Sequence, residues 1–254
     1  IRYAENPTIR WMAEYDEYNT GNSPIIDAAE FPWAAIAGTI TITNEERVKN
    51  SGRERVLDLA KEKFDKLIED LGNDMNRVVF SDGTIALEPA GSRAFTLTTG
   101  TYGGISRTGN TWWQGQVDST AEPLSVPDMR SIWNLTSANR TAPDMIVTTR
   151  TLFEKYEDMA QSFQQIVQSK TGDLGFEHLQ FKGVPLFWDD DCPSGEMNFF
   201  NSKYLNFYCH PEFEWARQEE RQPNQALKII PIEWRGNFVC RGPRFQGVLR
   251  GKTA

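Results

Sequence analysis

Consecutive carboxylates near residue 190 offer the first candidate for chemistry. Asp189, Asp190 and Asp191 are adjacent, and Glu196 follows shortly after them. Hard divalent cations prefer several carboxylate oxygens, so this run could bind a metal. Neighbouring strand residues point to opposite faces, however, and the run lacks the glycine-punctuated spacing of a calcium loop. We therefore interpret it as a solvated hairpin loop between two strands, and we predict no bound metal and no cofactor.

A cysteine and a histidine that are adjacent suggest a second chemistry. Cys209 and His210 could act as nucleophile and base, but such a pair needs converging side chains, whereas neighbours on a strand diverge. His178 is the only other histidine, and neither a nucleophile elbow nor a phosphate-binding loop occurs. One enzymatic alternative stays open, an acidic carbohydrate-active enzyme with Glu212 and Glu214 as its carboxylate pair. The favoured interpretation is a protein without catalytic residues.

Composition excludes several classes of protein. The 254 residues carry a net charge of −8, which argues against a chain that wraps nucleic acid by its overall charge. The apolar runs are far shorter than the roughly 18 residues of a membrane span. Three widely spaced cysteines, Cys192, Cys209 and Cys240, fit neither a disulfide framework nor a metal clamp. Reduced thiols, and folding in the cytoplasm, are expected.

The first 43 residues form an acidic, extended segment. They hold six acidic residues against two arginines. Thr39–Thr43 alternates with period two and predicts a strand, and Ile9–Tyr15 offers its partner in a long β-hairpin. An isolated hairpin is marginal in water, so this one must lie on another surface. Trp11 and Trp33 lie in or beside it, and exposed aromatic residues of this kind indicate protein–protein contact.

A long helix follows the hairpin. Thr43 and Glu46 have the spacing of a capping box, and an apolar stripe with a 3.6-residue period then predicts a helix over about 45–71. Gly72 suits the C-terminal stop, and Gly52 could kink the first part. The stripe consists of Leu57, Ala60, Phe64, Leu67, Ile68 and Leu71.

Shorter elements fill the rest of the chain. A helix is predicted from about Asp128, and a second capping box at Thr151 and Glu154 predicts another. Trp112 and Trp113 are expected on opposite sides of an extended strand. The predicted strands are Arg77–Phe80, Met145–Val147, Glu177–Phe181, Val184–Trp188, Met197–Phe200, Tyr204–Tyr208, Leu227–Ile232 and Phe238–Cys240.

The last 20 residues are basic. Arg235, Arg241, Arg244, Arg250 and Lys252 occur there without any acidic residue, a net charge of +5. They could meet phosphate, but five charges on an acidic protein are few. The favoured interpretation is a strand pair whose arginines face the acidic hairpin of a neighbouring copy.

Four blocks of sequence resemble the signature stretches of tailed-bacteriophage major capsid proteins. They span Thr101–Trp113, Ala142–Glu157, Phe181–Asp191 and Gly236–Leu249. Together with the predicted hairpin and helix, the resemblance covers nearly the whole chain in the order that the family shows.

The resemblance implies the Hong Kong 97 fold, an α+β capsid fold. That fold has an extended β-hairpin loop, a long spine helix, a peripheral domain and an axial domain. We assign the extended loop to 1–43, the spine helix and peripheral domain to 44–119, the axial domain to 120–225, and a return to the peripheral domain to 226–254.

The same resemblance implies a structural role in the virion. Copies would assemble in the host cytoplasm into hexamers and pentamers of an icosahedral head, which encloses double-stranded DNA without sequence-specific binding. Scaffolding, portal and decoration proteins are further implied partners, and no membrane is involved. The hairpin would lie on the spine helix and peripheral domain of the adjacent subunit. Inter-subunit contacts are expected at Arg10, Trp11, Glu14, Trp33, Glu54, Arg241 and Arg244.

An alternative within the resemblance is an encapsulin-type compartment, which shares the fold but encloses cargo enzyme. Some capsid proteins cross-link through a lysine in the extended loop. Residues 1–48 contain no lysine, so we expect no such cross-link.

Overall fold

The computed structural model describes residues 28–49, 53–85, 87–138, 140–162, 179–217, 220–221 and 227–254. The helices are α1 (Asn44–Lys49), α2 (Arg53–Val79), α3 (Ser92–Phe95), α4 (Val126–Thr136) and α5 (Arg150–Ser162). The strands are β1 (Ala34–Thr43), β2 (Thr101–Tyr102), β3 (Ile105–Ser106), β4 (Gln116–Asp118), β5 (Met145–Thr148), β6 (Gln180–Phe181), β7 (Val184–Trp188), β8 (Met197–Phe200), β9 (Leu205–Cys209), β10 (Ala216–Arg217), β11 (Glu220–Arg221), β12 (Leu227–Cys240) and β13 (Gly247–Leu249). Within these ranges no helix is both long and apolar enough to cross a membrane.

The predicted long helix ends later than the sequence indicates. α2 has 27 residues, a length of about 40 Å at 1.5 Å per residue. It runs through Gly72, so the predicted stop there is wrong. The predicted strand Arg77–Phe80 is also wrong, because Arg77–Val79 form the last turn of this helix and Phe80 follows it. Val78 and Phe80 are buried in a core cluster, which explains the apolar run that resembled a strand. The predicted kink at Gly52 lies outside the described residues.

β1 is the predicted strand Thr39–Thr43, extended back to Ala34. It pairs antiparallel with β12 along its whole length, from Ala34 opposite Gly236 to Thr43 opposite Leu227. The partner predicted from the sequence, Ile9–Tyr15, lies outside the described residues. The observed partner is distant in sequence, and a local pattern cannot reveal such a pairing.

β12 is the central strand of a five-stranded sheet. It is one strand of 14 residues, whereas the sequence predicts two shorter ones. β9, β10 and β11 pair antiparallel with successive parts of it. α2 lies directly against this sheet, because a Cβ added to Gly38 of β1 would fall 2.5 Å from Leu67 Cδ1.

A six-stranded sheet in the order β4-β13-β8-β5-β7-β6 forms the second layer. Its two faces line different cores. Val147 and Phe200 face the cluster that also contains Val78 of α2, while Ile146 and Phe199 face the cluster built with α4 and α5. Adjacent residues on β5 and β8 therefore enter different cores, because strand side chains alternate between faces.

Three local predictions differ from the structure. Thr111–Trp113 is a 3-10 helix rather than a strand, although Trp113 is fully buried and Trp112 only partly. α5 begins at Arg150, so Thr151 lies inside the helix and does not cap it. The run Asp189–Asp191 is not a hairpin loop, because β5 lies between β7 and β8.

Strand pairing crosses the predicted domain boundaries. β13, which lies in the segment 226–254, is inserted between β4 and β8 of the six-stranded sheet. β9, β10 and β11 come from the segment 120–225 but belong to the sheet of β1 and β12. The division into axial and peripheral domains stays a prediction.

Candidate assembly surface

The described part of the predicted extended loop rests on its own chain. The Glu30 amide donates to the Gly103 carbonyl (3.0 Å), and the Phe31 ring lies edge-on to Tyr102 at 4.9 Å. Asn237 Nδ2 donates to the Pro32 carbonyl at 2.6 Å. The expectation that the whole segment 1–43 needs a sister molecule for cover is therefore wrong for residues 28–43.

A polar junction joins β1 to the two helices that follow. The Glu46 amide donates to Thr43 Oγ1 (3.2 Å), and the Thr43 amide donates to Glu46 Oε2 (3.1 Å), which confirms the predicted capping box. Lys63 of α2 donates to the Glu46 carboxylate at 2.9 Å and to the Thr41 carbonyl at 3.1 Å. The hydrogen bond from Lys63 lowers the pKa of Glu46. Lys63 therefore joins α2 to the end of β1 and to the first turn of α1.

The predicted contact residues lie in several places. Trp33 is 54% exposed, and its ring is edge-on to His210 at 5.5 Å. Arg241 and Arg244 are exposed after β12, and the Arg241 guanidinium lies 5.4 Å from the Tyr208 ring centroid. The others are Glu54, in the first turn of α2, and Arg10, Trp11 and Glu14, which are outside the described residues.

Part of the basic C-terminal segment pairs within the chain, contrary to the interpretation that it faces a neighbouring copy. Glu196 is buried, and its Oε1 contacts Arg93 Nε at 3.2 Å and Arg250 Nε at 3.3 Å. Burial raises the pKa of Glu196, although the two arginines oppose this shift. Arg250 also donates to Thr96 Oγ1 at 3.0 Å.

Lys252 is the second basic residue of the tail that pairs internally. Its side chain is 0% exposed, and Nζ contacts Glu122 at 2.7 Å, Asp118 at 3.3 Å and Asp128 at 3.4 Å. These carboxylates are close enough together to hold a metal ion, but the ammonium group already occupies the space between them. Burial lowers the pKa of Lys252, but the bonds to Glu122 and Asp118 outweigh it and leave the pKa raised. We interpret the cluster as an anchor for the C-terminus.

The first block of the family resemblance contributes Tyr102, Ile105, Arg107 and Trp113 to the buried part of the protein. Trp113 Nε1 donates to the Tyr102 carbonyl (2.8 Å), and the Tyr102 hydroxyl accepts from the Cys240 amide (2.9 Å). Arg107 is buried and donates to the carbonyls of Ala94 and Thr99. The block therefore joins the β2–β3 hairpin to the end of β12.

The acidic run has a structural partner in the long helix. Asn76 Nδ2 lies 3.0 Å from Asp189 Oδ1 and 2.7 Å from Asp191 Oδ2. Glu196 points instead to its two arginines, so the four predicted carboxylates do not converge on one cation.

The candidate catalytic groups do not assemble into a site. Cys209 Sγ points to the His210 carbonyl (3.6 Å), while His210 Nδ1 accepts from the Glu212 amide (3.3 Å). Burial raises the pKa of Cys209, which disfavours the reactive thiolate. Glu212 and Glu214 are both exposed, whereas a glycosidase acid needs an enclosed environment.

Solved structures that resemble this fold include capsid shells and an encapsulin compartment. The capsid of cyanophage A-1(L) matches with a TM-score of 0.66 and 17% identity over 87% of this chain and 78% of the other. The capsid of a native GTA particle matches with a TM-score of 0.66 and 12% identity over 100% of this chain and 84% of the other. The chain has the Hong Kong 97 capsid fold. The SrpI encapsulin of Synechococcus elongatus PCC 7942 also matches, with a TM-score of 0.62 and 10% identity over 87% and 74%. No protein-family model matches the chain, and neither does any curated protein sequence.

Two lysines show where the sequence analysis fell short, because Lys63 was not singled out and Lys252 was named only as one charge of the basic C-terminal segment. Lys63 and Lys252 each bind partners that are distant along the chain, and an isolated lysine gives no signal of such a contact.

Proposed function

We propose that this chain is the major capsid protein of a tailed-bacteriophage head. Its copies form the hexameric and pentameric capsomers of an icosahedral shell around double-stranded DNA, and it performs no catalysis. The main support for the proposal is the structural similarity to the GTA-particle capsid, which covers the whole of this chain. The dispersed positions of the candidate catalytic groups agree with a structural role.

The second candidate is the shell of an encapsulin-type compartment, favoured by the likeness to the SrpI encapsulin. The two functions differ in what the particle encloses. Purified particles of a phage head hold long duplex DNA, whereas an encapsulin holds a cargo protein. Nuclease-protected DNA and the protein content of particles therefore decide between them.

Assembly of the shell is proposed to depend on residues 1–27. This segment contains Trp11 and carries a net negative charge, and it precedes a stretch that is bonded firmly to its own subunit. We propose that residues 1–27 lie on the neighbouring subunit, with Arg10, Trp11 and Glu14 among the contacts. Exposed Arg241 and Arg244 offer positive charge for the acidic segment of the neighbour.

Truncation at residue 27 tests this proposal. A longer deletion, of 1–43, would also remove β1 and expose one edge of β12, so it could not separate assembly from folding. We expect the chain that begins at 28 to keep its circular-dichroism spectrum and cooperative melting but to sediment as subunits or small oligomers. Full-length protein prepared in parallel is expected to sediment as shells. Closed shells from the truncated chain would contradict the proposed role of this segment.

A further inference from the structure

The sheet of β1 and β12 has two faces, and α2 covers one of them. Gly38 and its partner Ile232 lie on the covered face, because a Cβ added to Gly38 would fall 2.5 Å from Leu67 Cδ1 of α2. Side chains alternate along a strand and directly paired residues share a face, so the next pair along points away from α2. We call this side the outer face; it carries Ala35, Ala37, Thr39, Thr41 and Thr43 of β1 and Leu227, Ile229, Pro231, Glu233 and Arg235 of β12.

The β1 part of the outer face is exposed yet uncharged. Its side chains are two alanines and three threonines, and all of them are exposed. Within the described ranges β1 pairs with β12 alone, so it is an edge strand. Edge strands that meet only water commonly carry charged residues, lysine above all, which keep other chains away. β1 has no charged residue along its length, so its outer face is suited to contact with a protein.

The β12 part of the outer face is apolar where a solvated strand would be polar. Ile230 and Ile232 face α2, whereas Ile229 and Pro231 lie on the outer face and are half-buried. The four residues form one continuous apolar run. A run of this kind is typical of a strand that is covered on both faces, because a strand with one solvated face alternates apolar and polar residues. β12 therefore has the sequence of a strand whose outer face is covered as well.

Charged and aromatic groups lie together at one end of the outer face. Arg235 Nη2 is 3.7 Å from Glu233 Oε2, so the two charges of this face offset each other. The His210 amide donates to the Arg235 carbonyl (2.9 Å), which places His210 beside Arg235, and the exposed Trp33 ring lies edge-on to His210 at 5.5 Å. A face without net charge does not attract DNA phosphates. An exposed tryptophan is a side chain that anchors protein interfaces, so the partner of this face is a protein.

The size and character of the outer face fit a contact between two copies of this chain. β1 has 10 residues, a length of about 34 Å, and β1, β12 and the strands beside β12 are about 14 Å wide. One copy therefore offers roughly 500 Å². Two such faces together bury about 1,000 Å², which reaches the lower limit of a specific interface but not the roughly 1,600 Å² of a standard stable complex. A flat, neutral, apolar face is complementary to itself, so one surface supplies both halves of a two-fold contact.

We propose that the outer face packs against the outer face of a second copy across a two-fold axis of the assembled shell. This inference rests on the proposed function. Sheets packed face to face lie about 10 Å apart, with their strands crossing at about 30°. The alanine and threonine side chains of β1 leave room for this approach. Its area makes each contact weak in an isolated pair, whereas a closed shell repeats the contact throughout.

A charge placed near the centre of the outer face tests this packing. Thr39 lies there, opposite Pro231, and its side chain is exposed, so Thr39→Lys and Thr39→Glu should leave the melting temperature of the dissociated subunit unchanged. In a two-fold contact each variant meets its own charge, and the fraction of protein that sediments as shells should fall several-fold. An equal mixture of the two variants pairs lysine with glutamate and should form shells that neither variant forms alone. Thr101→Lys, at an exposed threonine of β2, is the matched control and should assemble like the wild type.

The outcomes distinguish this inference from the proposed function. Shells from both Thr39 variants at the wild-type level would overturn the inference while the proposed function stands. If both variants fail and their mixture fails too, the outer face does not pack on its own copy in a neighbouring subunit, and the inference is again overturned. Variant shells that form normally but lose a protein carried by wild-type particles would make that protein the occupant instead. If the wild type itself forms no shells, the proposed function fails, and the inference fails with it.

Discussion

The Lys252 anchor makes a quantitative prediction about stability. Its side chain is 0% exposed, whereas the carboxylates around it are 18% (Asp128), 27% (Asp118) and 43% (Glu122) exposed. Lys252→Met keeps the aliphatic stem and leaves three carboxylates without their cation. Loss of one partner from a fully buried ion pair costs about 3–5 kcal/mol. Because water still reaches these carboxylates, we expect a loss of about 2–3 kcal/mol in the free energy of unfolding.

This loss corresponds to a melting temperature about 5–10 °C lower for a chain of this length. Differential scanning calorimetry at neutral pH measures it, with Lys61→Met, which removes an exposed lysine from α2, as the control.

The stabilisation by Lys252 should also depend on pH. Because the pKa of Lys252 is raised, its contribution to the free energy of unfolding is present at neutral pH and is lost only as the pH rises through the raised pKa. The pKa of Asp118 is lowered, chiefly by its bond from the Thr120 amide, so its contribution is lost as the pH falls through that value. The difference between variant and wild type should therefore shrink in acid.

A further consequence concerns the C-terminus itself. The Lys252 amide donates to the Gly195 carbonyl, and the Thr253 amide donates to the Glu122 carbonyl. Without the ammonium anchor, carboxypeptidase should remove the last residues faster. Equal melting temperatures and equal digestion rates for Lys252→Met and wild type would refute the reasoning.

Two other substitutions test the interior of the subunit. Tyr102→Phe leaves the buried Cys240 amide without its acceptor, so we expect a loss of about 1–3 kcal/mol in urea unfolding, and a loss below about 0.5 kcal/mol would contradict the role of this hydroxyl. Burial raises the pKa of Glu196, so the wild type should lose stability as the pH rises from the ordinary glutamate pKa through the raised one. Glutamine does not titrate, so Glu196→Gln should remove this part of the pH dependence of stability. Parallel melting curves of variant and wild type across this acidic range would contradict that assignment.

Local sequence patterns correctly predicted the elements that depend on residues close together in the chain. The Thr43–Glu46 capping box depends on residues three positions apart, and it is present as predicted. The strands Val184–Trp188 and Met197–Phe200 also have the predicted bounds, because their apolar runs are bordered by turn residues. The fold itself followed from the resemblance of four blocks rather than from periodicity.

Tertiary contacts decided the features that the sequence did not predict. Gly72 does not end α2, because the helix continues until Val78 reaches the core. The pairing of β1 with β12 and the burial of Lys252 both join parts of the chain that are distant in sequence. Of the predicted contact residues, Trp33, Arg241 and Arg244 are exposed in the single subunit, so they are accessible to a neighbouring subunit.

Cryo-electron microscopy of the purified full-length protein tests the central claim most directly. The account predicts closed icosahedral shells of hexamers and pentamers, with residues 1–27 of one subunit lying on the next. A homogeneous population of single 29.0 kDa subunits, under conditions in which the chain is folded and concentrated, would contradict it.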